Sequence, residues 1–212
     1  MIKNIIEVYI TRADFFRTLV LQHLSISFSV ILIAGILGLI IGIIISEKKK
    51  AANFIIGFVN VIYTIPSISL LGILIPFTGI GNKTAIIALT VYGLLPMVRN
   101  TYTGIDNIQS SIIEAAKGMG STKWQILWKI KLPLALPVIL EGLRNMVVMT
   151  ISISSVSAFI GAGGLGVAVF RGISINNPSL TLAGSLLIAF TALVCDFIIG
   201  AIKRYILKKR KM

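Results

Sequence analysis

Two glycine-rich stretches in this sequence contain the residue types that hold phosphate groups in nucleotide-binding proteins. Gly161, Gly163 and Gly166 have G-x-G-x-x-G spacing, but a dinucleotide site needs a strand before this motif and a helix after it. A long apolar run precedes the motif here, so we interpret it as a tight turn or a re-entrant loop covered by protein. The stretch GNKT at 81–84 lacks the upstream glycine and the Gly-Lys pair of a phosphate-binding loop. We therefore expect that this chain does not bind ATP itself.

The few titratable residues within apolar runs do not form a catalytic set. His23, the only histidine, stands at the start of one run, where we expect a polar residue at the membrane interface. Asp196, roughly two helical turns before Lys203, is a candidate functional carboxylate, or it snorkels or pairs with a basic residue. Glu141 and Arg144 have the spacing of a local ion pair on one helix. An intramembrane enzyme would need converging carboxylates, histidines or a serine with a base, and we find no such set.

These residues belong to a chain of 212 residues, of which 56% are hydrophobic and only 13% are charged. Soluble domains contain about 25% charged residues, so the composition indicates that lipid is the main solvent. The net charge is +13, but the basic residues stand at the ends of apolar runs, and we therefore expect no nucleic-acid partner. The single cysteine, Cys195, excludes an intrachain disulfide and a cysteine-based metal site.

Five stretches are long and apolar enough to cross a bilayer, which takes about 20 helical residues. The predicted spans are Leu24–Ser46, Ala51–Asn82, Thr84–Val98 continuing toward Thr103, Asn145–Phe170 beginning near Pro137, and Gly172–Cys195 continuing toward Ile202. Pro66 and Pro76 interrupt the second span; the carbonyls that they free could line a transport pathway, or the helix could simply kink. We thus predict an all-α, polytopic transmembrane bundle of about five spans, with residues 1–212 forming a single domain.

The basic residues predict the orientation of these spans, because short inner loops are richer in Lys and Arg. If the N-terminus is outside, fifteen basic residues fall on the inner side and five on the outer side, which accounts for all 20. The C-terminal tail KRYILKKRKM would then meet anionic lipid of the inner leaflet, with a docking role as the alternative. We therefore expect the N-terminus outside and the C-terminus in the cytoplasm.

This orientation places the segment 106–133 in the cytoplasm. Ser111 and Glu114 have the spacing of a capping box, which would start one short helix that ends or bends at a Gly-Met-Gly break. A second helix from Ser121 would carry an apolar stripe with two tryptophans until Pro133 stops it. Two short amphipathic helices of this kind either lie on the bilayer surface or dock into a groove of a soluble protein.

The same segment resembles the signature loop of permease subunits of ATP-binding cassette (ABC) importers, in which Glu-Ala-Ala precedes Gly, Ile and Leu-Pro at fixed spacings. All seven positions match: Glu114, Ala115, Ala116, Gly120, Ile130, Leu132 and Pro133. In that family the loop sits in a groove of the ATP-hydrolysing subunit, so the resemblance implies an ATPase-coupling interface at these residues. The stretches TIPSISLLGILIPFTGIG (64–81), LLPMVRNTYTGI (94–105) and FIGAGGLG (159–166) are similar to permeases for osmoprotectants such as glycine betaine, carnitine and choline.

The resemblance implies the type I ABC importer permease fold in the bacterial plasma membrane and a transport subunit that is not itself an enzyme. It implies no cofactor on this chain, ATP and Mg²⁺ on separate cytoplasmic ATP-binding subunits, and an extracytoplasmic substrate-binding protein. Five helices are few to enclose a pathway, so we also expect a second permease chain, identical or different. The candidates for the pathway or its gate are Tyr63, Pro66, Arg99 and Arg144. A permease for another small solute, such as an amino acid or ergothioneine, is the alternative, ahead of an intramembrane scaffold or enzyme.

Overall fold

The computed structural model describes residues 2–210, apart from the side chains of Lys49 and Arg210. Lys211, which was counted on the inner side, lies outside the described residues. Every regular element of the described chain is helical, which confirms the predicted all-α class. The α-helices are α1 (Ile2–Thr11), α2 (Ala13–Ser46), α3 (Lys49–Tyr63), α4 (Ser67–Thr78), α5 (Asn82–Asp106), α6 (Ser110–Gly118), α7 (Lys123–Ile126), α8 (Leu132–Ile153), α9 (Gly166–Ser174) and α10 (Pro178–Arg210). A π-helical turn, Leu127–Lys131, precedes α8, and a 3-10 helix, Ser154–Ile160, follows it.

Helix α5 lies at the centre of the bundle, between α2 and α8. Glycines allow the neighbouring helices to approach it closely. A Cβ added to Gly42 of α2 would lie 2.5 Å from the Cβ of Thr101, and one added to Gly142 of α8 would lie 2.5 Å from the Cβ of Asn100. Small residues at such contacts allow the close backbone packing that membrane helices use in place of a hydrophobic driving force.

Within residues 2–210, three helices are long and apolar enough to cross a membrane: α2, the continuous helical stretch Lys123–Ile160, and α10. A fourth span results if α3 and α4, which are bent by 96° relative to each other, are taken as one broken span. Helix α5 has 25 residues but is not among these candidates, although twelve of its residues are buried. The predicted total of five spans therefore stays a prediction.

Several predicted span boundaries are wrong because turns that depend on glycine and proline lie elsewhere. Pro66 does break the second span, but Pro76 lies inside α4 and does not interrupt it. The predicted span Asn145–Phe170 ends at Gly161, where φ is +68° and the 3-10 helix stops. The last long helix starts at Pro178, since Gly172 still belongs to α9.

The G-x-G-x-x-G stretch forms the tight turn between the 3-10 helix and α9. Gly161 and Gly163 have φ values of +68° and +82°, in the left-handed region that favours glycine. The residues around the turn are helical, and the described chain contains no strand that could make a dinucleotide-binding unit. The interpretation of this motif as a turn is therefore confirmed.

Candidate functional site

The segment between α5 and α8 begins with α6, and the predicted start of this helix is wrong. Helix α6 begins at Ser110 after Gln109, which makes no side-chain capping bond. Ser111 lies inside the helix, so it cannot form a capping box with Glu114, whose side chain is exposed. The capping box lies in the next helix, where Thr122 N donates to Gln125 Oε1 at 2.8 Å and Gln125 N donates to Thr122 Oγ1 at 3.3 Å. The two short helices were foreseen, but the residue that starts each of them was not.

Gly120 ends α6 in a Schellman motif. Its φ is +80°, its N–H donates to the carbonyl of Lys117 at 2.9 Å, and the N–H of Ser121 donates to the carbonyl of Ala116 at 3.0 Å. This bonding pattern satisfies the last carbonyls of the helix and requires a left-handed residue at this position. A Cβ added to Gly120 would meet nothing within 4 Å. Within this chain, glycine is needed for its backbone conformation and not for space.

The seven signature residues divide into three groups by exposure. Glu114, Ala115 and Gly120 are exposed. Ala116 is 1% exposed and is therefore packed within this chain. The remaining three, Ile130, Leu132 and Pro133, are half-buried. The first group is the most accessible to a partner, and Ala116 is not accessible.

Large exposed apolar side chains lie close in the chain to the exposed signature residues. Met119 is 79% exposed, Trp124 68% and Trp128 52%. The two indole rings lie 5.4 Å apart between centroids. We call Ala115, Met119, Trp124 and Trp128 the loop face. An exposed apolar surface of this kind typically marks a protein or membrane contact.

Pro133 does not end the second short helix, contrary to the prediction. The chain passes from α7 through the π-helical turn directly into α8, with Pro133 in the first turn of that helix. A wider π turn before the proline suits a residue that lacks an N–H and whose ring crowds the preceding turn. Lys131 in this turn also pairs with Glu47 after α2, with 2.5 Å between Nζ and Oε1. The segment is thus tied to the end of the first long helix.

A cavity of about 680 Å³ opens between the helices, and we call it the polar pocket. Its lining comprises Tyr63, Leu95, Pro96, Arg99, Asn100, Glu141, Arg144, Asn145, Val148, Met149 and Asp196. Three of the four predicted pathway or gate residues line this pocket, and Pro66 does not. The predicted set omitted Asn100, Glu141, Asn145 and Asp196. Glu141, Arg144 and Asn145 have i, i+3, i+4 spacing, which indicates one polar face of a helix, and this pattern could have identified them as pocket residues.

Two ion pairs beside the pocket connect α8 to α10. Arg144 Nε and Nη2 donate to Asp196 Oδ1 and Oδ2, each at 2.6 Å. Lys203 donates to Glu141 on the same two helices. The predicted local pair of Glu141 with Arg144 is therefore wrong, whereas the pairing of Asp196 with a basic residue is confirmed. Arg99 lines the pocket without an ion pair to any described residue.

Aromatic residues lie at the break between α3 and α4. The rings of Tyr63 and Tyr92 meet edge to face, with 5.7 Å between centroids. Tyr92 donates to the carbonyl of Ile65, one of the groups that the break would otherwise leave free. That carbonyl therefore does not line a pathway, while Tyr63 does face the polar pocket. Phe77, also an aromatic residue of this region, is 82% exposed.

His23 is fully buried against other helices, so it does not face the membrane interface as a solvated polar residue, and its predicted depth at the outer edge of the first span stays a prediction. Its Nε2 lies 3.0 Å from the carbonyl oxygen of Ile151 in α8. The neighbouring Gln22 accepts from the N–H of Gly164 at 3.1 Å, which holds the glycine turn against α2. Because α2 begins at Ala13, His23 lies almost three turns inside a helix instead of at its end. The histidine joins elements and does not reach the polar pocket.

The chain matches the family described as "binding-protein-dependent transport system inner membrane component" over residues 34–212. It is 39% identical to the glycine betaine/carnitine/choline transport system permease protein OpuCD of Bacillus subtilis (strain 168), over 90% of this chain and 84% of that protein. It is 41% identical to the ergothioneine transport permease/ergothioneine binding protein EgtU of Helicobacter pylori (strain G27), over 76% of this chain and 29% of that protein. Inward-facing MetNI, a methionine ABC transporter, contains a chain that superposes with a TM-score of 0.82 at 26% identity, covering 90% of this chain and 95% of that one.

Proposed function

This chain belongs to the inner membrane components of binding-protein-dependent transport systems, and we propose that it forms the pathway for a betaine-type osmoprotectant: glycine betaine, carnitine or choline. It is a permease subunit of an ABC transporter, a transport component and not an enzyme. Membership of this family implies ATP-binding and substrate-binding partners in general terms. For this chain we propose cytoplasmic ATPase subunits that hold ATP and Mg²⁺, an extracytoplasmic binding protein and a second permease chain.

The polar pocket carries this proposal because it suits both ends of a zwitterionic solute. The guanidinium of Arg99 has no carboxylate partner among the described residues, so it is available to a substrate carboxylate. Quaternary ammonium groups bind to the faces of aromatic rings, and Tyr63 lines the same pocket. Choline, which has no carboxylate, would use only the aromatic part. A second permease chain would complete the walls of the pathway.

We assign ATPase coupling to the loop face together with Glu114 and Gly120. These residues are exposed in the single chain and lie at the end of α6 and in α7 and the π-helical turn. Ala116 would support this surface from within the chain, and the half-buried Ile130, Leu132 and Pro133 would contribute a smaller part of the contact. The other explanation, helices lying on the bilayer surface, accounts for the tryptophans but not for the match of all seven signature positions to the permease loop.

The proposed topology has five spans, with the N-terminus outside. It takes α5 as a span despite its composition, because a helix at the centre of a bundle is covered by protein and need not match lipid. The broken helix formed by α3 and α4 counts as the second span. This arrangement keeps the fifteen basic residues of the inner side together, as the positive-inside rule requires.

The test is uptake by the complete transporter reconstituted in proteoliposomes, with labelled glycine betaine, carnitine and choline. Tyr63→Ala should lower uptake of all three by about tenfold, because an ammonium–aromatic contact is lost. Arg99→Gln should reduce uptake of glycine betaine and carnitine more than that of choline, which has no carboxylate. Phe77→Ala is the control, since this exposed aromatic lies outside the pocket. Equal effects of Tyr63→Ala and Phe77→Ala would contradict the assignment of the pocket.

Ergothioneine is the second candidate, supported by the 41% identity to EgtU. It carries a trimethylammonium group and a carboxylate, so the same pocket chemistry applies. Ergothioneine and methionine therefore belong in the uptake assay. Transport of either one, with no transport of the three osmoprotectants, would overturn the substrate proposal while leaving the permease assignment intact.

A further inference from the structure

A second cavity, of about 490 Å³, lies on α10 beyond the ion pair of Arg144 and Asp196, and we call it the α10 groove. Its wall includes Arg144, Arg204, Gly200, Phe190, Leu193 and Phe197. Arg144 and Asp196 line both this groove and the polar pocket, so their ion pair separates the two. We propose that the α10 groove binds one anionic glycerophospholipid, with its phosphate between Arg144 and Arg204 and an acyl chain along the aromatic side chains.

The phosphate position follows from the two guanidinium groups beside Gly200. A Cβ added to Gly200 would lie 3.7 Å from Arg204 Nη1 and 3.8 Å from Arg144 Cζ. Both cations therefore face the same small residue, and a glycine leaves the space between them open. Arginine is well suited to phosphate because its planar fork presents several N–H donors.

Both arginines of the α10 groove have N–H donors that remain available to an added anion. Arg144 uses Nε and Nη2 to bind Asp196, which leaves Nη1 for another acceptor. Arg204 has no carboxylate partner among the described residues; its contact is with the ring of Phe197, with 6.0 Å from Cζ to the centroid. The single aspartate faces two arginines, so the groove has a surplus positive charge.

The apolar part of the groove suits a lipid chain and not a free anion. Phe190, Leu193 and Phe197 are 64%, 68% and 70% exposed. They lie on the same side of α10 as Gly200 and Arg204, since these positions recur every three or four residues. From Phe190 the helix rises about 15 Å to Gly200, which matches the roughly 15 Å of one leaflet, and about 21 Å to Arg204. When Phe190 lies near the bilayer centre, the space at Gly200 therefore lies at the edge of the headgroup layer and Arg204 lies within that layer.

This site differs from a general attraction of the basic tail to the membrane. Attraction of that kind depends on the total charge near the surface, so any lysine of the tail would contribute equally. The α10 groove instead depends on Arg204 and on the open space at Gly200. On the orientation proposed above, it faces the inner leaflet.

The test is native mass spectrometry of the complete, delipidated transporter, titrated with phosphatidylglycerol or with phosphatidylcholine of the same chain length. We expect one phosphatidylglycerol per permease chain, bound about tenfold more tightly than phosphatidylcholine because its phosphate bonds are charge-assisted and not offset by a choline. Arg204→Gln should remove this preference. Gly200→Leu should reduce binding without a change in charge, because the larger side chain fills the space between the arginines. Lys209→Gln, with the same charge change off the groove face, should bind like the parent protein.

Four results would overturn the proposal. The first is unchanged phosphatidylglycerol binding in Arg204→Gln, and the second is equal loss in Lys209→Gln, which would indicate the tail alone. The third is competition by inorganic phosphate at the same concentration as lipid, which would identify a simple anion site. The fourth is cross-linking of a cysteine at Leu193 to another protein subunit, in a Cys195→Ser background, because the groove would then be covered by protein.

Discussion

Ion pairs that join α8 to α10 are the main residue-scale feature of the polar pocket. Arg144 binds Asp196 through two parallel bonds, 52 positions apart in the chain. Removing one partner of such an ion pair lowers the stability of the protein more than neutralising both partners, because a single removal leaves an uncompensated charge. The two residues should therefore behave as a unit.

A double-mutant cycle tests this coupling. Arg144→Gln and Asp196→Asn should each lower the melting temperature of the purified complex and slow uptake. The decreases in melting temperature and in uptake rate should be smaller in the double variant than the sum of the decreases in the two single variants, because the double variant has no unpaired charge. Glu47→Gln combined with Asp196→Asn is the control pair, since Glu47 pairs with Lys131 in a different part of the chain. Additive losses for Arg144 and Asp196 would show that the contact does not couple them.

Neighbouring alanines in α6 have different environments, which gives a second residue-scale prediction. Ala116→Leu should destabilise the permease itself by about 1–3 kcal/mol, because the buried position has no room for a larger side chain. Ala115→Leu should leave the isolated permease stable but weaken its association with the ATPase subunit, because Ala115 is exposed. Thermal unfolding of the permease alone and binding of the ATPase subunit measure the two effects separately. An ATPase interface that tolerates Ala115→Leu would exclude this position from the contact.

At the scale of elements, the end of α6 sets the angle between the two short helices. Three backbone bonds around Gly120 close this helix, and the capping box at Thr122 starts the next one two residues later. Both devices are local, so the turn should form without a partner. The loop face is consequently preformed within the single chain.

Substitutions at Gly120 distinguish a backbone requirement from a steric one. Gly120→Val should reduce the free energy of unfolding by at least about 1–2 kcal/mol, because a β-branched residue is strained at positive φ. Gly120→Asn should reduce it by less, since asparagine adopts the left-handed conformation more readily. We expect substrate-stimulated ATP hydrolysis to be retained in Gly120→Asn and lost in Gly120→Val. If both variants lose it equally, a close partner surface, and not the backbone, requires the glycine.

For the whole molecule, the order of the helices across the membrane determines which surfaces meet which partners. In the proposed topology, the loop face lies on the cytoplasmic side, where we propose that the ATPase subunits bind, and the turn before α5 lies on the opposite side. Thr122 and Asn82 are exposed and mark these two regions. Both can therefore report the topology without disturbing the core.

Cysteine labelling in a Cys195→Ser background tests the proposed orientation. A cysteine at Thr122 should react with a membrane-impermeant reagent only when the cytoplasmic side is accessible. A cysteine at Asn82 should react only from outside. The Cys195→Ser parent without an added cysteine is the blank. Reaction of position 122 from outside intact cells would reverse the orientation and remove the loop face from the ATPase.

Much of the fold could be predicted from the sequence because helix formation and bilayer crossing depend on local properties. Continuous apolar runs require helices in lipid, where every backbone group must be bonded internally. Pro66 marked the break between α3 and α4, since proline cannot continue a helix. The fixed spacing from Glu114 to Pro133 indicated the permease family, to which the chain belongs.

Tertiary structure decided the contacts between distant residues. Local spacing paired Glu141 with Arg144, but helix packing brought Lys203 and Asp196 to them instead. Packing likewise buried Ala116, which had the same apparent role as the exposed Ala115 in the sequence. Apolar runs and turn residues act over a few positions, and the sequence by itself determined those. Pairing and burial depend on which helix faces lie against each other, and that arrangement exists only once the whole bundle has packed.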